Sequence, residues 1–138
     1  MLTRRVSLML ALLAAPSPGG GGVLAAQSSA PAGWQATPAS VLKGALRSVT
    51  AAQERYRAAH GVYAPSIDRL GVRPENGIRV EILGAGATGW QARATHAMQP
   101  GRSCVVFVGS LGDLEAPRTD ADREMAGEEG IPLCDRMR

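Results

Sequence analysis

The sequence has few of the residues that metal sites, catalytic centres and membrane anchors require. Its 138 residues include only two histidines, His60 and His96, and two cysteines, Cys104 and Cys134. A metal site built from such ligands needs more of them close together. There is no Gly-x-Ser-x-Gly turn to present a nucleophilic serine, and no apolar run of the roughly 20 residues that span a bilayer. The sequence therefore predicts a protein that is not an enzyme.

Residues 1–26 have the pattern of a secretory signal peptide. Arg4 and Arg5 supply the basic start, an apolar run follows at 6–15, and small residues at 23–26 suit cleavage. The apolar run is too short for a stable membrane anchor. Ordinary export and a twin-arginine route both fit the paired arginines. We therefore predict that residues 1–26 are removed and that the protein is periplasmic or secreted.

Little net charge remains once such a signal peptide is removed. The whole chain has 15 basic and 12 acidic residues, and loss of Arg4 and Arg5 leaves 13 basic against 12 acidic. A balance so close to neutral gives no general attraction for nucleic acid or anionic membranes. Residues 27–37 are small and polar apart from Trp34, so they predict a flexible linker.

One long amphipathic helix is predicted from Thr37 to Gly61. Thr37 suits the N-cap with Pro38 at the first helical position, and Gly61 suits the left-handed conformation that ends a helix. The apolar positions recur at three- and four-residue steps, which places them on one face. These positions are Leu42, Ala45, Leu46, Val49, Ala52 and Tyr56. This face predicts the surface on which a sheet packs.

Three later segments have the patterns of β-strands. Residues 78–83 and 90–97 alternate in polarity, and 104–109 is the most apolar run of the chain. The turn at 84–89 matches Gly-x-Gly-x-x-Gly, but no helix follows it, so it does not predict a phosphate-binding loop. The sequence thus predicts an α+β fold, a long N-terminal helix packed on a three- to four-stranded antiparallel sheet.

The two cysteines suggest one disulfide, because an even pair in an exported chain usually forms a bond. A bond between Cys104 and Cys134 would close a loop at the C-terminal end of the domain. Two free thiols and an intermolecular bond are the alternatives.

An acidic stretch lies between the two cysteines. Residues 110–129 contain seven acids but only two basic residues, Arg118 and Arg123. Asp113, Asp120 and Asp122 are candidate Ca²⁺ ligands, since Ca²⁺ prefers oxygen ligands. The spacing is not that of an EF-hand, and a solvated acidic loop is the alternative. A short helix is expected near 120–126, and no cofactor other than Ca²⁺ is predicted.

Five short segments occur in an order known from one family of exported proteins. The helix contains Ala52-Gln53-Glu54-Arg55-Tyr56 and ends in His60-Gly61-Val62-Tyr63. Gly89-Trp90-Gln91-Ala92 and Gly101-Arg102-Ser103-Cys104 open two strands, and Gly130-Ile131-Pro132-Leu133-Cys134-Asp135 lies near the C-terminus. In order and spacing these segments resemble the globular head of type IV pilin-like proteins and pseudopilins. The resemblance implies a pilin-like domain at 38–138 with a disulfide-closed C-terminal loop.

The N-terminus departs from the pattern of that family. Pilins carry a short basic leader, a glycine cleavage site and a long apolar helix that builds the filament core, and this chain lacks the usual prepilin N-terminal helix. The resemblance implies a soluble interaction or accessory module of the cell envelope, with pilus or secretion components as partners. No nucleic acid is expected as a partner, nor a stable membrane anchor after signal cleavage. The alternative function is a small periplasmic ligand- or Ca²⁺-binding module.

The predicted disulfide should contribute strongly to stability, because the domain is too small to bury a large core. We expect Cys104→Ala to lower the free energy of unfolding by about 2–5 kcal/mol. Denaturant unfolding of the wild type with and without a reducing agent gives an independent measure of the same bond. A cooperative melt that reduction leaves unshifted would contradict the prediction.

Overall fold

The structure, a computed structural model, describes residues 36–137. The predicted signal peptide at 1–26 and the predicted linker up to residue 35 lie outside the described residues, as does residue 138. No helix between residues 36 and 137 has both the length and the hydrophobicity needed to cross a bilayer.

One long helix and a four-stranded antiparallel sheet form the domain. The elements are α1 (Pro38–His60), α2 (Ile67–Leu70), β1 (Ile78–Ala85), β2 (Gly89–His96), β3 (Ser103–Gly109) and β4 (Leu133–Cys134). The strands lie in the order β1-β2-β3-β4, each antiparallel to its neighbours. The predicted α+β class and the packing of a helix on an antiparallel sheet are therefore confirmed. Helix α1 lies at the predicted position, which is the N-terminal end of the described domain and not of the chain.

Both predicted ends of α1 are observed. The Thr37 side-chain oxygen accepts a hydrogen bond from the Ser40 N–H at 3.2 Å, and Pro38 opens the helix. Gly61 has φ 77°, and its N–H donates to the Arg57 carbonyl. A residue with a Cβ is strained at this φ, so glycine is the residue that suits this helix end.

The core lies between one face of α1 and the inner face of the sheet. Leu42, Leu46 and Val49 are fully buried, as is Trp90 on β2. Burying each such side chain contributes about 1.5–3 kcal/mol. The remaining buried members of the cluster are Tyr63, Ala92, Ala94, Cys104 and Val106. Trp90, Ala92 and Ala94 therefore face the core, as the alternating polarity of residues 90–97 predicts.

The helix face differs from the predicted one near its C-terminal end. Tyr56 is only half-buried, whereas Gln53 is fully buried. The Gln53 side chain donates to the Ala64 carbonyl at 2.9 Å and accepts from the Ala64 N–H at 2.7 Å. Both backbone groups of this buried residue are thereby satisfied. Gln53 thus holds the connection between α1 and α2 against the helix.

The ends of the strands differ slightly from the predicted ones. The register of β1 on β2 shifts between Ile82 and Gly84, which marks a β-bulge and lets β1 continue to Ala85.

The predicted short helix at 120–126 is wrong. Residues 120–122 form a turn, and Arg123 has φ 59°. The physical reason is the hydrogen bonding of this turn to Asp135, described below.

Gln53→Leu should destabilise the domain by about 2–4 kcal/mol, because it leaves the buried N–H and C=O of Ala64 without partners. Urea unfolding monitored by circular dichroism measures the difference. Ser48→Ala is the matched control on the same helix: Ser48 is exposed and its hydroxyl bonds only to the Gly44 carbonyl, so a change within about 0.5 kcal/mol is expected. Equal effects of the two substitutions would contradict this role of Gln53.

Candidate functional site

The predicted disulfide is present between Cys104 and Cys134. Cys134 lies directly opposite Cys104 in the register of β3 and β4. The intervening segment, residues 110–132, is called the disulfide loop below. The bond attaches the end of this loop to the sheet, so the loop is closed covalently at its C-terminal side.

The next residue, Asp135, closes the disulfide loop a second time. Its side chain is buried, with 2% of the residue exposed. One carboxylate oxygen accepts from the N–H groups of Ser103 and Ala121 at 2.8 and 3.0 Å, and the other accepts from the Asp122 N–H at 2.6 Å. The carboxylate thus joins the start of β3, the turn at 120–122 and the chain that leaves β4.

The backbone donors keep Asp135 ionised. Burial acts to raise the pKa of the Asp135 carboxyl, but the hydrogen bonds from Ala121, Asp122 and Ser103 outweigh it and hold the pKa below its ordinary value of 3.8. The negative charge is therefore balanced by N–H dipoles. This arrangement explains the missing helix, since the N–H groups at 121 and 122 point at the carboxylate.

Further hydrogen bonds hold the same turn. The Ser103 hydroxyl accepts from the Asp120 N–H at 2.9 Å, and the Asp122 carboxylate accepts from the Arg136 N–H at 2.8 Å. The Thr119 hydroxyl accepts from the Glu124 N–H at 3.2 Å. Side chains from the loop and from β3 therefore fix residues 119–124.

The three candidate Ca²⁺ ligands occupy different environments. Asp113 lies in the turn at 111–114 and is exposed, Asp120 pairs with Arg93, and Asp122 accepts from Arg136. Between residues 36 and 137, no group of three or more His, Cys, Asp or Glu side chains is placed to hold a metal ion. The geometry gives the candidates no shared ligand set, and Ca²⁺ binding by them stays a prediction.

A charged basin of about 340 Å³ lies on the outer face of the sheet. It is lined by Arg79, Glu81, Arg93, Thr95 and Asp120. The Arg93 guanidinium donates to Glu81 at 2.9 Å and to Asp120 at 3.1 Å, so it links β1, β2 and the disulfide loop. The hydrogen bond to Glu81 raises the pKa of Arg93 above its ordinary value, against a smaller lowering effect of burial. The alternating polarity of residues 78–83 and 90–97 predicts that the charged side chains of these strands face outward. It does not predict that Asp120 joins them.

The disulfide loop also exposes large apolar side chains. Leu114, Met125 and Ile131 are 53, 46 and 56% exposed. They share the loop with its acidic residues. Because the backbone beneath them is held by the disulfide and by Asp135, these side chains are presented on an ordered surface.

Both histidines have hydrogen bonds within the domain. The His96 ring accepts from the Met98 N–H at 3.0 Å, and the His60 ring lies 2.9 Å from the Tyr56 carbonyl and stacks on the Tyr56 ring. These contacts give each imidazole a structural role within the domain.

No protein-family model matches this chain, and no curated protein matches it.

The stability that Asp135 provides should depend on pH. Since its pKa is lowered in the folded state, this contribution is present above about pH 4 and is lost as pH falls through the lowered value. Asp135→Asn should cost about 2–3 kcal/mol at pH 7, because an amide nitrogen then faces backbone N–H donors. Denaturant unfolding of both proteins from pH 7 to about pH 2 should show this gap narrowing as the wild-type carboxyl becomes protonated. A gap that stays constant across this range would contradict the assignment.

Proposed function

We propose that this chain is a non-catalytic, exported protein with a pilin-like head, and that it acts as a soluble interaction or accessory module of the cell envelope. The observation that carries the proposal is the disulfide loop, an acidic and apolar surface held by Cys104–Cys134 and Asp135. Loops held on a rigid scaffold are common sites of binding. The order of helix, sheet and closed loop is also the order that the resemblance implies.

The disulfide supports an extracytoplasmic location, since such bonds persist in oxidising compartments. We propose the periplasm or the extracellular medium, reached after removal of residues 1–26. Pilus or secretion components are the proposed partners. A partner that fits the loop would combine basic and apolar groups, because the loop contains seven acids and exposes Leu114, Met125 and Ile131.

The proposed interaction can be tested by cross-linking in intact cells followed by capture of the tagged protein. Leu114→Ser/Ile131→Ser should reduce the yield of the cross-linked partner at least ~10-fold, which corresponds to a loss of about 1.4 kcal/mol. Met98→Ser/Val62→Ser is the matched control, because both side chains are exposed and lie outside the loop.

Two outcomes would contradict the proposal. One is an equal partner yield from the loop variant and the control variant. The other is a cytosolic protein whose intact mass still includes Met1. The proposed mature chain begins near Gln27 and, before reduction, is lighter by two hydrogen atoms than after it.

A ligand-binding module is the second candidate, and a specific groove favours it. A groove of about 430 Å³ lies between α1 and the segment before β1, lined in part by Val41, Ala45, Val72 and Ile78. A thermal-shift screen with Ca²⁺ and small anions distinguishes the two functions. A concentration-dependent rise in melting temperature would favour the ligand-binding module.

A further inference from the structure

The sheet is open at β1. The strand order β1-β2-β3-β4 places β1 at an edge, and among residues 36–137 it pairs with β2 alone. An open edge presents unpaired backbone N–H and C=O groups to any strand that approaches.

The hydrogen bonds beside β1 show which backbone groups face outward. The Gly77 carbonyl accepts from the Ala97 N–H at 2.8 Å, so Gly77 bonds toward β2. Antiparallel pairing alternates, which directs the backbone groups of Ile78, Val80 and Ile82 away from β2. The Ile78 N–H is already used by the Glu75 carbonyl. The Ile78 carbonyl and both groups of Val80 and Ile82 remain for an added strand.

The apolar side of β1 is incompletely covered. Ile78, Val80 and Ile82 are only half-buried, whereas most residues of β2 and β3 are buried. A groove of about 430 Å³ runs beside the strand, between it and the segment that contains Pro65, Ile67 and Pro74. Part of the apolar surface of β1 is therefore uncovered on the side where a further strand would lie.

The charges on the outer side of β1 select the occupant. Arg79 and Glu81 flank Val80 on the outward face, and Glu81 also receives the hydrogen bond from Arg93. If two β1 strands pair antiparallel about Val80, Arg79 of each copy lies opposite Glu81 of the other. In that register Val80 faces Val80, and Ile78 faces Ile82. In this register the two Val80 residues exchange both backbone hydrogen bonds, and each Ile82 N–H donates to the Ile78 carbonyl of the other copy. The same register places opposite charges across from one another.

We propose that β1 is a self-association edge, which pairs antiparallel with β1 of a second copy of this chain and is centred on Val80. This inference does not depend on the function proposed above. The β-bulge after Ile82 ends the regular ladder, so the pairing covers residues 78–82. So short an interface predicts a weak dimer, with a Kd on the order of 100 µM.

Charge reversal tests the register directly. Arg79→Glu and Glu81→Arg should each raise the Kd of the homodimer at least ~10-fold, because like charges then face each other twice. An equimolar mixture of the two variants should associate at least as tightly as the wild type, since each reversed residue then meets an opposite charge in the other variant. Sedimentation velocity up to about 1 mM measures the three associations.

Control measurements distinguish a specific effect at β1 from a general effect of net charge or of misfolding. Arg55→Glu makes the same charge change at an exposed position of α1 and should leave the Kd unchanged. Melting curves and far-ultraviolet circular dichroism establish that each variant is folded. In NMR titrations of the wild type, the amides of Val80 and Ile82 should shift with protein concentration.

Several outcomes would overturn the proposal. A wild-type chain that remains monomeric at about 1 mM would do so. A mixture of Arg79→Glu and Glu81→Arg that does not associate would do so as well. Dimerisation with NMR shifts confined to the disulfide loop would assign self-association to that surface. If the chain stays monomeric and an added peptide binds as a strand at β1, this edge belongs to another partner.

Discussion

The buried carboxylate of Asp135 is the interaction on which the C-terminal half of the domain depends. It accepts hydrogen bonds from N–H groups on two separate segments, β3 at Ser103 and the turn at 121–122. A buried charge is costly unless its hydrogen-bonding capacity is used, and here several backbone dipoles meet it. The adjacent Cys134 adds a covalent bond to β3. Two consecutive residues therefore fix a loop that is otherwise too polar to hold itself by hydrophobic packing.

Gln53 provides the same kind of constraint at the other end of the domain. Its amide satisfies the backbone of Ala64, as the carboxylate of Asp135 satisfies the turn at 121–122. Apolar packing between α1 and strands β2 and β3 supplies the bulk of the stability. The two polar side chains decide how the connecting segments lie on this core. The connecting segments of such a small domain depend on this second kind of contact, because they contain few buried apolar groups.

The two proposed interaction surfaces differ in their physical character. The disulfide loop presents side chains on a backbone whose polar groups are satisfied by Asp135 and its neighbours. The edge of β1 presents backbone groups and an apolar row that the single domain leaves half-covered. The charged basin lies between them, with Arg93 bonded both to Glu81 of the edge strand and to Asp120 of the loop.

The sequence by itself determined the elements whose signals are local. Local patterns predicted helix α1 with its caps at Thr37 and Gly61, strands β1 to β3, and the pairing of the two cysteines, because periodicity, capping and composition act over a few residues. Strand β4 was not among the predicted strands. The resemblance to pilin-like heads also came from the sequence, and it stays a proposal about function.

Tertiary structure decided which distant residues meet. Gln53 lies on a helix face where the sequence pattern favoured Tyr56, and its burial follows from a backbone partner eleven positions away. The turn at 120–122 replaced the expected helix because Asp135, more than ten positions later, captures its N–H groups. The fold also places Asp120, in the same turn, beside Arg93, with which it forms an ion pair. Long-range hydrogen bonds of this kind leave no periodic trace in the sequence, so only the folded chain reveals them.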